Sequence, residues 1–355
     1  MLIHLLSRIN RDIFNVSVCS LVGKGILTKE VEKLGFEAEN LQLNSPLQIH
    51  KVLKLYKCLK KQPFDLIHIY GLRADVPGRF LAKKAGIPVV ISAIRSTDPW
   101  RKCHHVKLDR LTLRWADFFI SNSKAGKESR IHRERYQPSL IDVIHNGIAP
   151  PPDFTKQQKK SFLKKYGIPD QRKPVVCMIA NLRIMKGHRD VIRAMKKIIH
   201  TFPDIMFIFA GRDDSGGKVP ELADHYGVMN NIKFTGYCPD PAEILSVSDA
   251  FILPSHWEGC PTSLIEAMSF GLPCIASRVG GIPEIVTHDH DGVLIPPKKP
   301  SAVADSLVSL LKNPEKMKNL GDSARATYRK KFTVDEMVKK HERIYAELIE
   351  ARKCR

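Results

Sequence analysis

The sequence predicts an α/β protein of two domains, each a parallel sheet flanked by helices. Three observations carry that expectation. At 355 residues the chain exceeds one average domain and suffices for two that each bury a core. Short apolar runs alternate with helix-length segments from end to end, the sequence form of repeated βαβ units. Between the halves lies Ala149-Pro-Pro-Pro-Asp153, followed by the charged run Lys156–Lys165, which together read as a linker.

In the first half the expected strands are Phe14–Leu21, Ala38–Leu43, Leu66–Tyr70, Pro88–Ala93, Phe118–Ser121 and Ile141–Ile144. The second half repeats the scheme with Pro174–Ala180, Ile205–Ala210, Ile232–Thr235, Ala250–Pro254, Pro273–Ser277 and Gly292–Pro296. A continuous apolar run such as Pro174–Ala180 fits a strand covered on both faces, as parallel sheets require. Helical patterns separate these runs at Arg189–His200, Glu221–Tyr226, Pro241–Val247, Ser263–Phe270 and Ala302–Leu311. The chain closes with Val334–Arg355, one amphipathic helical pattern. Neither an internal repeat nor a low-complexity tract is present.

Hydrophobic residues make up 43% and charged residues 26%, which excludes a disordered chain. Lys and Arg number 57 against 37 Asp and Glu, a net +20 that attracts nucleic acid, anionic lipid or phosphorylated substrates. The plainer account is a solvated basic surface. A nucleic-acid-binding protein is the reading this charge alone suggests, but no recognition motif or aromatic RNA platform accompanies it, and no nucleic-acid partner is expected. Eight cysteines are scattered without a Cys-x-x-Cys pair, and Cys177 and Cys274 fall in apolar runs. That pattern implies reduced thiols in the cytosol. No apolar run reaches bilayer-spanning length, and MLIHLLSRINRD lacks the form of a signal sequence, so any membrane contact is expected to be peripheral.

The stretch Ser255-His-Trp-Glu258-Gly259-Cys-Pro261-Thr262-Ser263-Leu264-Ile-Glu266 sets two carboxylates on either side of a turn-forming segment. Glu258 reads as a loop residue and Glu266 as part of the first turn of a helix. Ser263-Leu-Ile-Glu266 matches a capping box, which accounts for Glu266 but not for Glu258. That helix follows directly on strand Ala250–Pro254, at the sheet edge where open α/β proteins bind ligands. Val279-Gly280-Gly281-Ile282-Pro283-Glu284 offers a second helix start. Two such termini converging favour an anion by about 0.3–1 kcal/mol each, and a diphosphate fits them. After another strand, Asn181-Leu-Arg183-Ile-Met-Lys186-Gly187-His188 brings an arginine fork and a lysine point charge. Each piece is ordinary alone; their shared place after strands of one sheet is the signal.

The ordered set of Glu258–Glu266 (Glu-x7-Glu), Asn181–Gly187, Ala210-Gly211, Phe234-Thr-Gly236, Asp249–Ser255 and Gly280–Glu284 resembles the GT-B fold retaining glycosyltransferases of family four. In the first half Ala116-Asp117, Ser121-Asn-Ser123 and Val143–Ile148 resemble it too, so the likeness spans nearly the whole chain. It implies two Rossmann-like domains with parallel sheets facing a cleft. These would be an acceptor-side domain at 1–150, a nucleotide-sugar domain at 151–333, and a final helix at 334–355 packing back on the first. By matching positions Glu266 would bind the donor ribose, Glu258 would face the sugar, and Lys186 with Arg183 would hold the diphosphate. Backbone groups of Pro261-Thr262-Ser263 and Gly280-Gly281, with Gly259 and Leu264, would complete the site beside Gly211 and Asn181. Members generally work without a metal or other cofactor, and none is expected here. His288-Asp-His-Asp291 has metal-ligand side chains but reads as a solvated turn.

Two departures stand out: Asn181 takes the place where many relatives carry arginine, and Ser92-Ala-Ile-Arg95-Ser lacks a histidine that relatives often have, leaving Arg95 as its substitute. The family's first domain also opens with a strand and a glycine-rich loop ahead of a helix resembling Leu2–Asn10. The chain is therefore expected to lack the first strand and to be a truncated product or a misassigned start. The expected activity is transfer of a sugar, UDP-linked, to a cell-envelope polysaccharide, lipopolysaccharide or lipid-linked acceptor. Competing readings are a nucleotide-sugar 2-epimerase and a truncated, weakly active nucleotide-sugar-binding protein. Lys51, Lys54, Lys57, Lys60 and Lys61, interleaved with Val52, Leu55, Tyr56 and Leu59, and the basic segment Trp100–Trp115 suggest an anionic membrane surface as a partner. Basic helices packed on the sheet explain them equally well. The localisation implied is cytoplasmic, with peripheral contact at the inner face of the membrane.

Overall fold

The computed structural model describes residues 1–21, 26–43, 48–169 and 174–354. They divide into two compact units, Met1–Ala149 with Val334–Arg355, and Pro150–Thr333. Every named strand pairing is parallel.

In the first unit β1 (Val18–Ser20) pairs with β2 (Ala38–Asn40). A separate sheet runs in the order β3 (Leu66–Tyr70), β4 (Val89–Ile94), β5 (Phe118–Ser121) and β6 (Ile141–Val143). Among the described residues the two sheets share no ladder, yet Val18 and Ala38 pack on the same core as Leu66, Val89, Ile91 and Ile120. Alternation along the strands explains the two-sided burial. Val89 and Ile91 enter that core, while Val90 joins Ile69, Leu55, Leu59 and Ala82 on the other face. The first core is closed by the helix Val334–Lys353, through Val334, Met337, Val338, Ile344 and Tyr345. Its entry is fixed where Val334 N–H donates to the Ile148 carbonyl at 2.9 Å.

The other side of β4 rests on buried charge. Arg79 is 1% exposed and donates to Ser92 (2.8 Å), Asp109 (2.6 Å), Thr112 (3.1 Å) and Tyr136 (3.1 Å). Arg101 reaches the second Asp109 oxygen at 2.6 Å. Burial opposes ionisation of Asp109, but Arg79 and Arg101 outweigh it and hold the carboxyl below its ordinary range. The helix Cys103–Thr112 is thereby turned inside out. Its buried residues are Asp109 and Thr112, while Leu108 and Leu111 are 48% and 63% exposed.

The second unit holds one six-stranded sheet of β7 (Val175–Ile179), β8 (Met206–Ala210), β9 (Ile232–Gly236), β10 (Ala250–Leu253), β11 (Cys274–Ser277) and β12 (Val293–Ile295). The spatial order is β12-β11-β10-β7-β8-β9, so chain direction across the sheet reverses between β7 and β10. The expected strands of this sheet differ from these by a residue or two at the ends, whereas in the first unit Phe14–Leu21 shortens to Val18–Ser20 and Ala38–Leu43 to Ala38–Asn40. The charged run after the triple proline is a helix, Lys156–Lys165, capped reciprocally by Thr155 and Gln158 and buried only at Leu163. A second helix, Pro314–Lys331, is absent from the expected patterns because its apolar stripe is thin, with Leu320, Ala324 and Tyr328 buried among charged neighbours.

Removing Asp109 leaves two buried guanidinium groups short of a carboxylate, and breaking such a pair costs about 3–5 kcal/mol. Asp109→Ala should lower the urea midpoint of the first unit accordingly, read from Trp100 and Trp115 fluorescence, with no matching loss at Trp257. An unchanged midpoint would show that the network carries no stability.

Candidate functional site

In an open parallel sheet the loops leaving two neighbouring strands diverge where the order reverses, and they open a crevice at the carboxyl edge. Here that place lies between β7 and β10. The loop after β7 carries Asn181, Arg183 and Lys186, and the loop after β10 carries Ser255, His256 and Glu258. They are stitched together by His256 N–H to the Met185 carbonyl at 2.7 Å.

Two glycines permit the approach. Gly187 has φ 82°, and a Cβ there would sit 2.0 Å from the Pro254 carbonyl oxygen, so only glycine brings the loops to this distance. Gly280, at φ 51°, packs so that a Cβ would lie 2.0 Å from the Glu258 carbonyl oxygen. The loop after β11 is thereby pressed against the backbone of Glu258.

The outcome is a close ion pair. Lys186 Nζ stands 2.6 Å from Glu258 Oε1, which also accepts from Ser255 Oγ at 2.9 Å. Glu258 is buried and Lys186 is about a quarter exposed. Such a pair offsets desolvation through its hydrogen bonds, and the ammonium keeps donors to spare for a ligand. Behind it His188 is buried, and among the described residues neither ring nitrogen meets hydrogen-bond geometry with a partner, although the ring lies near the Ala180 backbone. Burial first, then the Lys186 charge, push its pKa down to about 3, so the ring is neutral. His256 and Asp190 form a further contact at 2.8 Å. Ser255, His188 and the His256–Asp190 pair were not anticipated as site residues. The two histidines and Ser255 stand in the quoted motifs, but only the fold shows which way they face.

The remaining expected residues fall around this centre unequally. The helix Thr262–Ser269 follows Pro261 as its N-cap, and no side chain caps it, so Ser263 and Glu266 do not form the expected capping box. Glu266 lies in the second turn instead of the first. Burial raises its carboxyl above the ordinary range of 4.5, and Asp240 adds to the rise. Gly259, Pro261 and Leu264 are buried, Leu264 with its side chain in the core, while Thr262 and Ser263 are half-buried at the helix start. The second helix start is a single turn, Ile282–Ile285, after Gly280 and Gly281, too short to supply a full macrodipole. Two converging helix dipoles are thus reduced to one, with backbone amides from the other.

Arg183 is not joined to the Lys186–Glu258 pair. Its Nε donates to Asp214 at 2.7 Å and the side chain is half exposed. Asn181 takes up a structural task, accepting from Arg212 N–H at 3.1 Å, which holds the Gly211 loop against the loop after β7. Arg95 belongs to the first unit, where its carbonyl accepts from Asn122 Nδ2 at 3.0 Å. In the turn 288–291, Asp289 pairs with Lys316 at 2.8 Å. Asp291 is buried, accepting from Thr287 N–H (2.6 Å) and Thr327 Oγ1 (2.8 Å), so it is a structural residue and not part of a solvated turn. Among the described residues no group of three or more His, Cys, Asp or Glu is placed to hold a metal ion.

Two parallel-sheet units of this kind are the GT-B fold of glycosyltransferases, and the solved structures agree. HepE from Anabaena, in complex with UDP and glucose, superposes with a TM-score of 0.85 at 19% identity over 98% of this chain and 95% of that one. Residues 2–150 match the family model described as Glycosyltransferase Family 4, and residues 158–327 match Glycosyl transferases group 1. The chain is also similar to the N-acetyl-alpha-D-glucosaminyl L-malate synthase of Bacillus anthracis, 26% identical over 86% of this chain and 80% of the relative. It is 30% identical to the UDP-Gal:alpha-D-GlcNAc-diphosphoundecaprenol alpha-1,3-galactosyltransferase of Escherichia coli, over 69% of this chain and 65% of that protein. The chain belongs to the group 1, family 4 glycosyltransferases and is a transferase enzyme.

A carboxyl whose pKa is raised by folding contributes stability that is present below its unfolded value and lost as pH rises through the folded one. Glu266 therefore weakens the unliganded fold at neutral pH. Glu266→Gln should unfold at higher urea than wild type at pH 7, with the gap closing below about pH 4. Equal midpoints at both pH values would show that the carboxyl is not desolvated.

Proposed function

We propose that the protein is a retaining glycosyltransferase that moves a sugar from a UDP-linked donor to a lipid-linked or other cell-envelope glycan acceptor, lipopolysaccharide included. The observation that carries this reading is the Lys186–Glu258 contact at the strand-order reversal of the second sheet. The UDP held by HepE and the UDP-Gal donor and diphosphoundecaprenol-linked acceptor in the name of the Escherichia coli relative support the choice of donor and acceptor.

In this scheme the Lys186 ammonium keeps its bond to Glu258 and turns a remaining donor to the donor's diphosphate. Arg183 supplies the second cation, and the start of helix Thr262–Ser269 with the Gly280-Gly281 amides supplies backbone donors. Charge developing on the departing UDP is stabilised by groups fixed before reaction. The leaving phosphate oxygen takes the acceptor hydroxyl's proton on the same face, so the anomeric configuration is kept without a protein nucleophile. Glu258, anchored by Lys186 and Ser255, faces the sugar, and Glu266 accepts from the ribose hydroxyls, which satisfies a carboxylate that burial otherwise penalises. Arg95 remains with the first unit, to which the scheme gives the acceptor.

A panel of nucleotide sugars, scored by nucleoside diphosphate release with acceptor present, tests the class and names the donor. Glu266→Ala should weaken UDP binding roughly 10–100-fold, the worth of one charged hydrogen bond or two. Glu258→Gln should lower turnover more than binding, and Lys186→Ala should lower both. Wild-type turnover in all three variants would remove the site assignment.

The same reading places the protein at an anionic membrane surface. The helix Ile49–Lys60 does not support this, because Leu55 and Leu59 are spent in the core, with Val52 and Tyr56 packed beside them. The inside-out helix Cys103–Thr112 does, exposing Leu108 and Leu111 beside Lys107 and Arg110 near the half-exposed Trp100. The protein should sediment with anionic vesicles and not with zwitterionic ones, and Leu108→Ser with Leu111→Ser should release it. Binding to neither vesicle removes the membrane from the scheme.

A further inference from the structure

Cysteines at positions 19 and 58 are far apart in sequence and share no motif, yet the fold gathers both around one Glu39–Lys54 pair, and each thiol shifts the other's pKa. Cys19 lies on β1 directly opposite Glu39 of β2. Cys58 lies on the helix Ile49–Lys60, one turn beyond Lys54, so Lys54 and Cys58 share a face. Lys54 Nζ stands 3.9 Å from Glu39. Four side chains of complementary chemistry are therefore linked through the Lys54–Glu39 contact between β2 and this helix: two thiols, a cation and a carboxylate.

We propose that Cys19 and Cys58 are a reversible dithiol–disulfide site, oxidised by low-molecular-weight disulfides, that fastens β1 to the helix Ile49–Lys60. The roles within the pair are unequal. Cys19 is exposed and Cys58 half-buried, so an external disulfide meets Cys19 first. The Cys58 hydrogen bond, opposed by burial and Glu39 and aided by Lys54, lowers the Cys19 pKa and enriches its thiolate. Cys58 is held up as the thiol by the same hydrogen bond and by burial.

The chemistry balances as two exchanges. The Cys19 thiolate attacks one sulfur of the small disulfide, forming a mixed disulfide and releasing one small thiolate. Cys58 then gives up its proton to the released small thiolate, and its own thiolate attacks the Cys19 sulfur, releasing the second small thiolate. The protein loses two protons and two electrons, and the small disulfide becomes two thiols. The product closes a loop of roughly 40 residues, a length at which a crosslink restricts the unfolded chain substantially.

The test uses the full chain and oxidised glutathione. Digestion after incubation should yield a peptide pair joined through Cys19 and Cys58, and the oxidised protein should melt several degrees higher than the same sample after reduction. In Cys58→Ser the first step proceeds and the second does not, so a glutathione adduct should persist on Cys19. Wild-type protein labelled briefly with iodoacetamide should react faster at Cys19 than at Cys103 and Cys354, the other exposed cysteines. The proposal is overturned if no Cys19–Cys58 peptide forms, if Cys19 is labelled no faster than Cys103 and Cys354, or if oxidation gives only dimers between chains.

Discussion

The reversal of strand order between β7 and β10 is the constraint on which the second unit's chemistry depends. A parallel sheet buried on both faces leaves only its edges for polar function, and only at a reversal do adjacent loops part to leave room. The chain sets a lysine on one side of that gap and a glutamate on the other, and it closes the distance with glycines that no other residue can replace. Gly187 admits the Pro254 carbonyl and Gly280 admits that of Glu258, so the 2.6 Å Lys186–Glu258 contact is a consequence of backbone approach as much as of charge.

How much of this was legible in the sequence follows from range. The alternation of buried strands and helices gave every strand of the second sheet, because a continuous apolar run such as Val175–Ile179 admits few other structures. The glycines and charged loop residues were visible as types. Their partners were not, since partner choice is set across the sheet: Arg183 turns to Asp214, and Asn181 fastens the loop of Gly211. A local rule also misled. Ser263-Leu-Ile-Glu266 has the capping-box spacing, but Pro261 is already the N-cap and shifts both residues two positions inward.

Periodicity failed in an instructive way in the first unit. Two basic amphipathic segments gave similar patterns, and the fold treats them oppositely. The helix Ile49–Lys60 spends its apolar face on the core, as its pattern suggests. The helix Cys103–Thr112 buries Asp109 against Arg79 and Arg101 and turns leucines outward. A hydrophobic pattern records that two faces differ, and it does not record which face the interior takes once buried cations demand a carboxylate. Arg79, itself enclosed by β4 and its neighbours, makes that demand.

The Lys186–Glu258 pair and Glu266 show two ways in which a fold holds a carboxylate out of water. Glu258 is compensated by an ammonium and a hydroxyl, so its burial stabilises the arrangement of its own loop. Glu266 carries a raised pKa and stays a local cost at neutral pH. If the pair were there only to steady the loops, a compensated site would suffice and nothing would retain the second carboxylate. A desolvated acceptor in the same unit as a fixed cation is instead the combination that, in the proposed site, a ligand bearing both hydroxyl donors and negative charge would relieve at once. In the proposed site the energy held in Glu266 would be returned on binding, while Lys186, already oriented by Glu258, would lose little freedom in meeting the phosphate. On these grounds the two carboxylates divide the work of the proposed donor site, one positioning the cation and the other rewarding the nucleoside.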